Sequence, residues 1–268
     1  MTLSRRVVVC LDVADDRVVK GVQFQALRSI GDPAAMAVSY EQSGADEVVL
    51  LDIAASPEGR ATRWEMVHRT AEQLFIPLTF GGGVRSADDV DRALRAGADK
   101  VAMNSAAVAR PAVIGEAAAR FGAQCIVASI DARRDASAPS GWRVVVHGGR
   151  TDTPLDAVAW AAECVERGAG EILLTSIDCD GGRAGYDLAL TRAVSSSVTV
   201  PVVASGGAGT TDHICAVLGE GGADAALVAG VLHDGILSVE SIKDAMADRG
   251  LPVRRSRFQS VVAGGSTG

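Results

Sequence analysis

The chain has 268 residues, 48% of them hydrophobic and only 4% aromatic, with 30 glycines and a net charge of −7 at pH 7. Such a length buries a large core within one α/β domain, and the glycine-rich, aromatic-poor balance disfavours an aromatic-rich β-sandwich. The acidic balance disfavours a nucleic-acid surface, which needs clustered Lys and Arg, and favours a small-molecule partner.

In chain order, RVVVCLDV (6–13) predicts a first strand that ends on Asp12, and the following RVVKG carries Lys20 to where it can fold over the strand end. Asp32 followed by Pro33 reads as an N-cap and a first-turn proline. EVVLLDI (47–53) and IPLTFGG (76–82) predict the second and third strands, and Ser86 with Asp89 three residues on is a near-capping box. KVAMNS (100–105), CIVASID (125–131), EILLTSI (171–177), VPVVASGG (200–207) and AALVAGV (225–231) complete a set of eight. These runs lack apolar-polar alternation, as strands covered on both faces do, and helical patterns separate them. The expected fold is a parallel (β/α)8 barrel over residues 1–254, with residues 255–268 as a disordered tail. An open doubly wound sheet is the alternative.

The series repeats itself. GADEVVLLDI (44–53) matches GAGEILLTSI (168–177), AGADKVAMNSAAV (96–108) matches GGADAALVAGVL (221–232), and IPLTFGGGV (76–84) matches VPVVASGGA (200–208). Cys10-Leu11-Asp12 aligns with Ser129-Ile130-Asp131, and the extra loop ASAPSG (136–141) accounts for the changed offset. A duplicated half-barrel has approximate two-fold symmetry and carries its site at the C-terminal strand ends.

Glycines after a strand let backbone N–H groups approach an anion, and a helix N-terminus adds partial positive charge. One phosphate site is expected at Gly82, Gly83, Asn104 and Ser105, and a second at Asp180, Gly181, Gly206, Gly207, Ala229 and Gly230. A substrate with a phosphate at each end follows. The competing reading is that these glycines only make tight strand-to-helix turns. Between the two sites, Asp12 and Asp131 at equivalent strand ends suit a general acid and base, although a lone Asp there is as often a cap or turn residue.

Little else competes. His68, His147, His213 and His233 have no ligand spacing, so neither a metal nor a cofactor is expected. Cys10, Cys125, Cys164, Cys179 and Cys215 form no C-x-x-C pair and read as reduced, cytoplasmic thiols. The apolar run from Val7 stops after five residues at Asp12, too short for a signal-peptide core, and no run approaches a membrane span.

Taken in order, CLDVADDRVVKG, LRSIGDP, LDIAAS, TFGGGVRS, ADKVAMNSAAV, SIDARR, GAGEILLTSIDCDG, GYD, ASGGAG and GADAAL closely resemble the cyclase subunits of imidazole glycerol phosphate synthase, over about Arg6 to Arg254. The resemblance implies that ammonia attacks phosphoribulosyl-formimino-aminoimidazole carboxamide ribonucleotide, giving imidazole glycerol phosphate and aminoimidazole carboxamide ribotide in histidine biosynthesis. It implies Asp12 and Asp131 as the acid-base pair, Lys20 in a mobile loop, and a glutaminase partner docked on the N-terminal face of the barrel. It further implies that Arg6, Glu47, Lys100 and Glu171 form a salt-bridged gate for ammonia; such residues also simply stabilise a barrel bottom.

Three departures stand out: Gly230 where Ser is expected, Gln23 where Asn is usual, and LHDG (232–235) in place of a more aromatic segment. The rival readings are the isomerase of the same pathway, which has Arg-Leu where this chain has Lys20-Gly21, a paralogue supplying ammonia for sugar amination, and a silent phosphate-binding scaffold.

Overall fold

The computed structural model describes residues 3–22, 25–53 and 64–254. The tail 255–268 and Gln23 lie outside the described residues. Among the described residues the strands are β1 (Arg6–Ala14), β2 (Arg17–Val22), β3 (Gln25–Gly31), β4 (Glu47–Asp52), β5 (Leu78–Gly81), β6 (Lys100–Met103), β7 (Ile126–Arg134), β8 (Trp142–Val146), β9 (Thr151–Asp156), β10 (Glu171–Ser176), β11 (Val202–Ser205) and β12 (Ala225–Val228). The helices are α1 (Pro33–Gln42), α2 (Trp64–Ala71), α3 (Ala87–Arg95), α4 (Ser105–Ala109), α5 (Ala112–Phe121), α6 (Ala157–Glu166), α7 (Leu188–Ser195), α8 (Thr211–Gly219), α9 (Gly230–His233) and α10 (Val239–Asp248).

Eight strands pair in parallel in the order β1-β4-β5-β6-β7-β10-β11-β12, and β12 returns to β1, so the barrel closes. All eight expected strands are present. Their side chains alternate between two cores. Val7, Val9 and Leu11 of β1, like Ile126, Ala128 and Ile130 of β7, belong to the large outer core under the helices. Val8, Cys10, Val49, Val127, Leu173 and Val203 fill the barrel interior. Phe80 is fully buried in the outer core, where truncation to alanine costs roughly 3–5 kcal/mol. The caps form as expected: Asp32 Oδ1 accepts from the Ala35 N–H at 3.1 Å and Ser86 Oγ from the Asp89 N–H at 3.2 Å, each worth about 1 kcal/mol.

The segment read as a loop around Lys20 is instead part of an antiparallel hairpin, and the loop at 136–141 is the turn that leads into a second pair of strands. β2 and β3 grow from β1, and β8 and β9 grow from β7. Lys20 therefore sits on strand β2, and residues 136–141 form the turn of the second hairpin. A local signal for the first was available: Asp15 and Asp16, with φ of 50° and 60°, separate two valine-rich runs as a tight hairpin turn does. Among the described residues no helix is long and apolar enough to cross a membrane.

Candidate active site

β1 and β7 lie four strands apart in the ring of eight and are therefore opposite one another. On each, residues of the parity that fills the interior end in a carboxylate, Asp12 after Cys10 and Asp131 after Ser129. Both line a pocket of about 430 Å3 at the C-terminal strand ends. Gly82, Gly83, Asn104 and Ser105, after β5 and β6, line it too, as do Asp180 and Ala229. Gly181, Gly206, Gly207, Gly230 and Lys20 stand outside its wall.

The glycine repeat is matched in three dimensions, and much of it is close packing. A Cβ on Gly82 would lie 2.2 Å from the Asp52 carbonyl, one on Gly206 2.6 Å from the Ser176 carbonyl, and one on Gly207 2.0 Å from the Gly185 carbonyl. All three have positive φ, so close backbone approach by itself calls for glycine at these positions. Asn104 and Ala229, which precede the short helices α4 and α9, share an unusual backbone: φ −119° and ψ −92° against φ −134° and ψ −87°.

Each aspartate has its own partner. Asn104 Nδ2 donates to Asp131 Oδ2 at 2.9 Å, so this side chain supports the carboxylate. Cys10 Sγ donates to Asp12 Oδ1 at 3.5 Å, and burial pushes the thiol pKa well above its ordinary value, which keeps the proton on sulfur. Burial raises the Asp12 pKa to about 6 and the Asp131 pKa to about 7; the two donors oppose the rise and the charge of Asp180 adds to it. The Asp180 carboxyl is itself raised by burial. It carries the wrong charge for a phosphate and acts as a third carboxyl of the mouth.

Lys20 belongs to the second rim rather than to the aspartates. Its Nζ donates to the Gly230 carbonyl at 3.3 Å and pairs with Asp234, which also pairs with Arg183. A Cβ on Gly230 would meet Lys20 Cε and Nζ at 3.8 Å, an ordinary contact, so Gly230 leaves room for the lysine stem and does not require it. The LHDG segment is tied in by His233, whose Nδ1 meets Tyr40 Oη at 2.6 Å and whose Nε2 meets the Cys10 carbonyl at 3.1 Å.

At the opposite end of the barrel the four expected charges close into a ring. Arg6 reaches Glu47 at 2.8 Å and Glu171 at 2.5 Å, and Lys100 reaches the same two carboxylates at 2.7 and 2.5 Å. Thr79 Oγ1 donates to Glu47 Oε1 at 2.6 Å. Burial would lower the Arg6 pKa, but the two carboxylates hold it above its ordinary value. Pocket residues that sequence reasoning passed over are Cys10, Arg85, His147, Gly148 and Arg150. Among the described residues no group of three or more His, Cys, Asp or Glu is placed to hold a metal ion.

The sequence matches the family model described as histidine biosynthesis protein over residues 6–238. It is 66% identical over 252 residues to imidazole glycerol phosphate synthase subunit HisF of Myxococcus xanthus (strain DK1622), covering 94% of this chain and 98% of that protein. Proteins of the same name from Synechococcus sp. strains CC9902 and CC9311 are 58% and 59% identical over 256 residues, covering 94% of this chain and 99% and 97% of their own lengths.

Proposed function

The chain belongs to the histidine biosynthesis protein family, and from that premise we propose that the pocket is the cyclase site of imidazole glycerol phosphate synthase. There ammonia and phosphoribulosyl-formimino-aminoimidazole carboxamide ribonucleotide give imidazole glycerol phosphate and aminoimidazole carboxamide ribotide. The observation that carries this is a pocket whose wall brings two opposed, half-buried aspartates together with the Gly82 and Gly83 rim, in a chain 58–66% identical to subunits of that name.

Condensing ammonia with the keto group of the ribulosyl arm removes protons from nitrogen and releases the oxygen as water. Closing the ring on the formimino carbon then expels the amine of the aminoimidazole. Each step needs one group to take a proton and another to give one. Asp12, with the lower pKa, serves as base, and Asp131, with the higher, as acid. The glycine rims hold the two phosphates apart, so the reacting centre lies between the carboxyls.

Ammonia is supplied from the other end. The interior between the charged ring and the pocket is lined by Val8, Val49, Val127, Leu173 and Val203, which neutral ammonia crosses far more readily than ammonium does. The relatives are named as subunits, and a glutaminase partner fits the N-terminal face, where Leu3 before β1 and Phe75 before β5 are 84% and 94% exposed. Purified protein with the ribulosyl substrate and an ammonium salt tests the reading. Substrate absorbance should fall as both products appear, and a flat trace would refute the assignment.

A further inference from the structure

One wall of the pocket comes from a turn that neither the glycine repeat nor the paired aspartates account for. β8 passes into β9 through His147, Gly148 and Gly149, three successive residues with φ of 55°, 66° and 76°. The Arg150 N–H closes this left-handed turn on the Val146 carbonyl at 3.1 Å. A left-handed backbone is costly for His147, so the turn persists only where its surroundings fix it. Two contacts do so: the His147 N–H donates to Ser105 Oγ at 3.1 Å, and Arg133 Nη2 donates to the Gly149 carbonyl. The turn is thereby docked on the Gly82, Gly83 and Ser105 rim, and His147, Gly148 and Arg150 face the pocket.

Arg150 is exposed, and among the described residues its guanidinium has no carboxylate or carbonyl partner. Its neighbours on the same hairpin are all engaged: Arg133 with Asp152, Arg134 with Asp187 and Arg143 with Asp135. The pocket wall meanwhile carries the carboxyls of Asp12, Asp52, Asp131 and Asp180, so an entering phosphate dianion needs a cation near its own end. On the opposite rim the hairpin that grows from β1 delivers Lys20, held by the Gly230 carbonyl and Asp234. The hairpin that grows from β7 delivers Arg150 to this rim, completing the two-fold pattern.

The geometry points to Arg150 as the cation that grips the substrate phosphate at the Gly82, Gly83 and Ser105 rim. It fixes the position of that end of the substrate and takes no part in proton transfer. A guanidinium presents a planar fork that meets two phosphate oxygens at once, which an ammonium does not. The inference rests on the cyclase reading above and names the group that the glycines alone do not supply.

The test uses the full chain with Arg150→Gln and Arg150→Lys, assayed with ammonium salt. Arg150→Gln should raise KM for the bisphosphorylated substrate by about 10-fold or more, while kcat stays within about threefold. Inorganic phosphate, used as a competitive inhibitor, should weaken in parallel. Arg150→Lys, which keeps the charge without the fork, should recover part of the loss. A KM for Arg150→Gln within about twofold of wild type, or a fall in kcat at unchanged KM, overturns the inference. If the wild-type protein shows no turnover, the cyclase reading fails instead. Phosphorus NMR titration with inorganic phosphate then decides Arg150 separately, since equal binding by wild type and Arg150→Gln refutes its role and weaker binding by the variant sustains it.

Discussion

Asn104 donates its side-chain amide to Asp131 across 2.9 Å, which ties the residue preceding α4 to the carboxylate at the mouth end of β7. The bond favours the ionised carboxylate and so opposes the rise that burial imposes. In Asn104→Ala that opposition is lost and the Asp131 pKa climbs further. Because a general acid works protonated, the descending alkaline limb of kcat/KM should move to higher pH, by up to about 1 unit. Steady-state rates across pH 5 to 9 read it directly. A limb that stays in place would show that Asp131 is not the proton donor.

The two raised carboxyls also shape the wild-type profile. With Asp12 near 6 as base and Asp131 near 7 as acid, kcat/KM should follow a narrow bell with limbs close to those values. Asp12→Asn and Asp131→Asn should each cut ammonia-dependent turnover by at least about 10²-fold with the fold intact. Their stabilities should move the other way. An acid whose folded pKa exceeds its unfolded value, about 3.9, holds its proton in the native state while the unfolded chain has released it. Stability therefore falls as pH rises from about 4 through the folded pKa and stays low above it. Asn carries no such charge, so Asp131→Asn should exceed wild type in stability at pH 8, on the order of a few kcal/mol, and match it near pH 4. Denaturant melts at the two pH values supply the comparison; an equal gap at both would contradict the burial account.

What the sequence displayed well was whatever one residue or one run could announce. Strands buried on both faces must be continuous runs such as EVVLLD and EILLTS, and all eight were visible for that reason. Asp12 and Asp131 stood out because a carboxylate ends an otherwise apolar strand twice at matching places. The hairpins were hidden because Arg17–Val22 looks like a continuation of β1 once a barrel period is assumed, although Asp15 and Asp16 mark the reversal. Lys20 meeting Asp234 and Gly230, and Asn104 turning toward Asp131, depend on barrel closure, which no local pattern encodes. The glycines were read for anions, yet Gly206 and Gly207 are required first by backbone that passes within 2.6 and 2.0 Å of where a Cβ would sit.

Barrel closure is held at its base by Asp46, which accepts the Val7 N–H at 2.9 Å, Lys243 Nζ at 2.7 Å and Arg254 Nε at 3.1 Å. One buried carboxylate thereby joins β1, the helix α10 and the chain beyond it. Lys243 is almost wholly buried, and burial lowers its pKa even with Asp46 beside it. Asp46→Ala leaves that ammonium with the Arg254 carbonyl but no counter-charge, and the Val7 N–H without its carboxylate acceptor, costing about 3–5 kcal/mol. Thermal melting should drop by roughly 2–4 °C for each kcal/mol lost, while kcat of the folded fraction is unchanged, because the cluster lies at the strand starts. A variant that melts with wild type would show that the cluster contributes nothing net.

The charged ring allows a sharper separation of structure from ammonia transfer. Glu47 and Glu171 each touch both cations, so the four charges neutralise one another in a confined space with Glu47 2% and Glu171 5% exposed. Lys100→Ala leaves two carboxylates facing Arg6 alone. An unbalanced buried charge draws in water or forces a neighbour to rearrange, and either change opens the ring or lets ammonia leave as ammonium. The aspartates at the far end of the barrel keep their surroundings, so activity with added ammonium salt should remain within about threefold of wild type. With a glutaminase partner supplying ammonia from glutamine, the ratio of glutamine consumed to imidazole glycerol phosphate formed should rise above unity. Parallel assays of glutamate and product measure it. If the ratio stays at unity in Lys100→Ala, the ring only braces the bottom of the barrel; if the wild-type protein binds no glutaminase, ammonia does not arrive by this route.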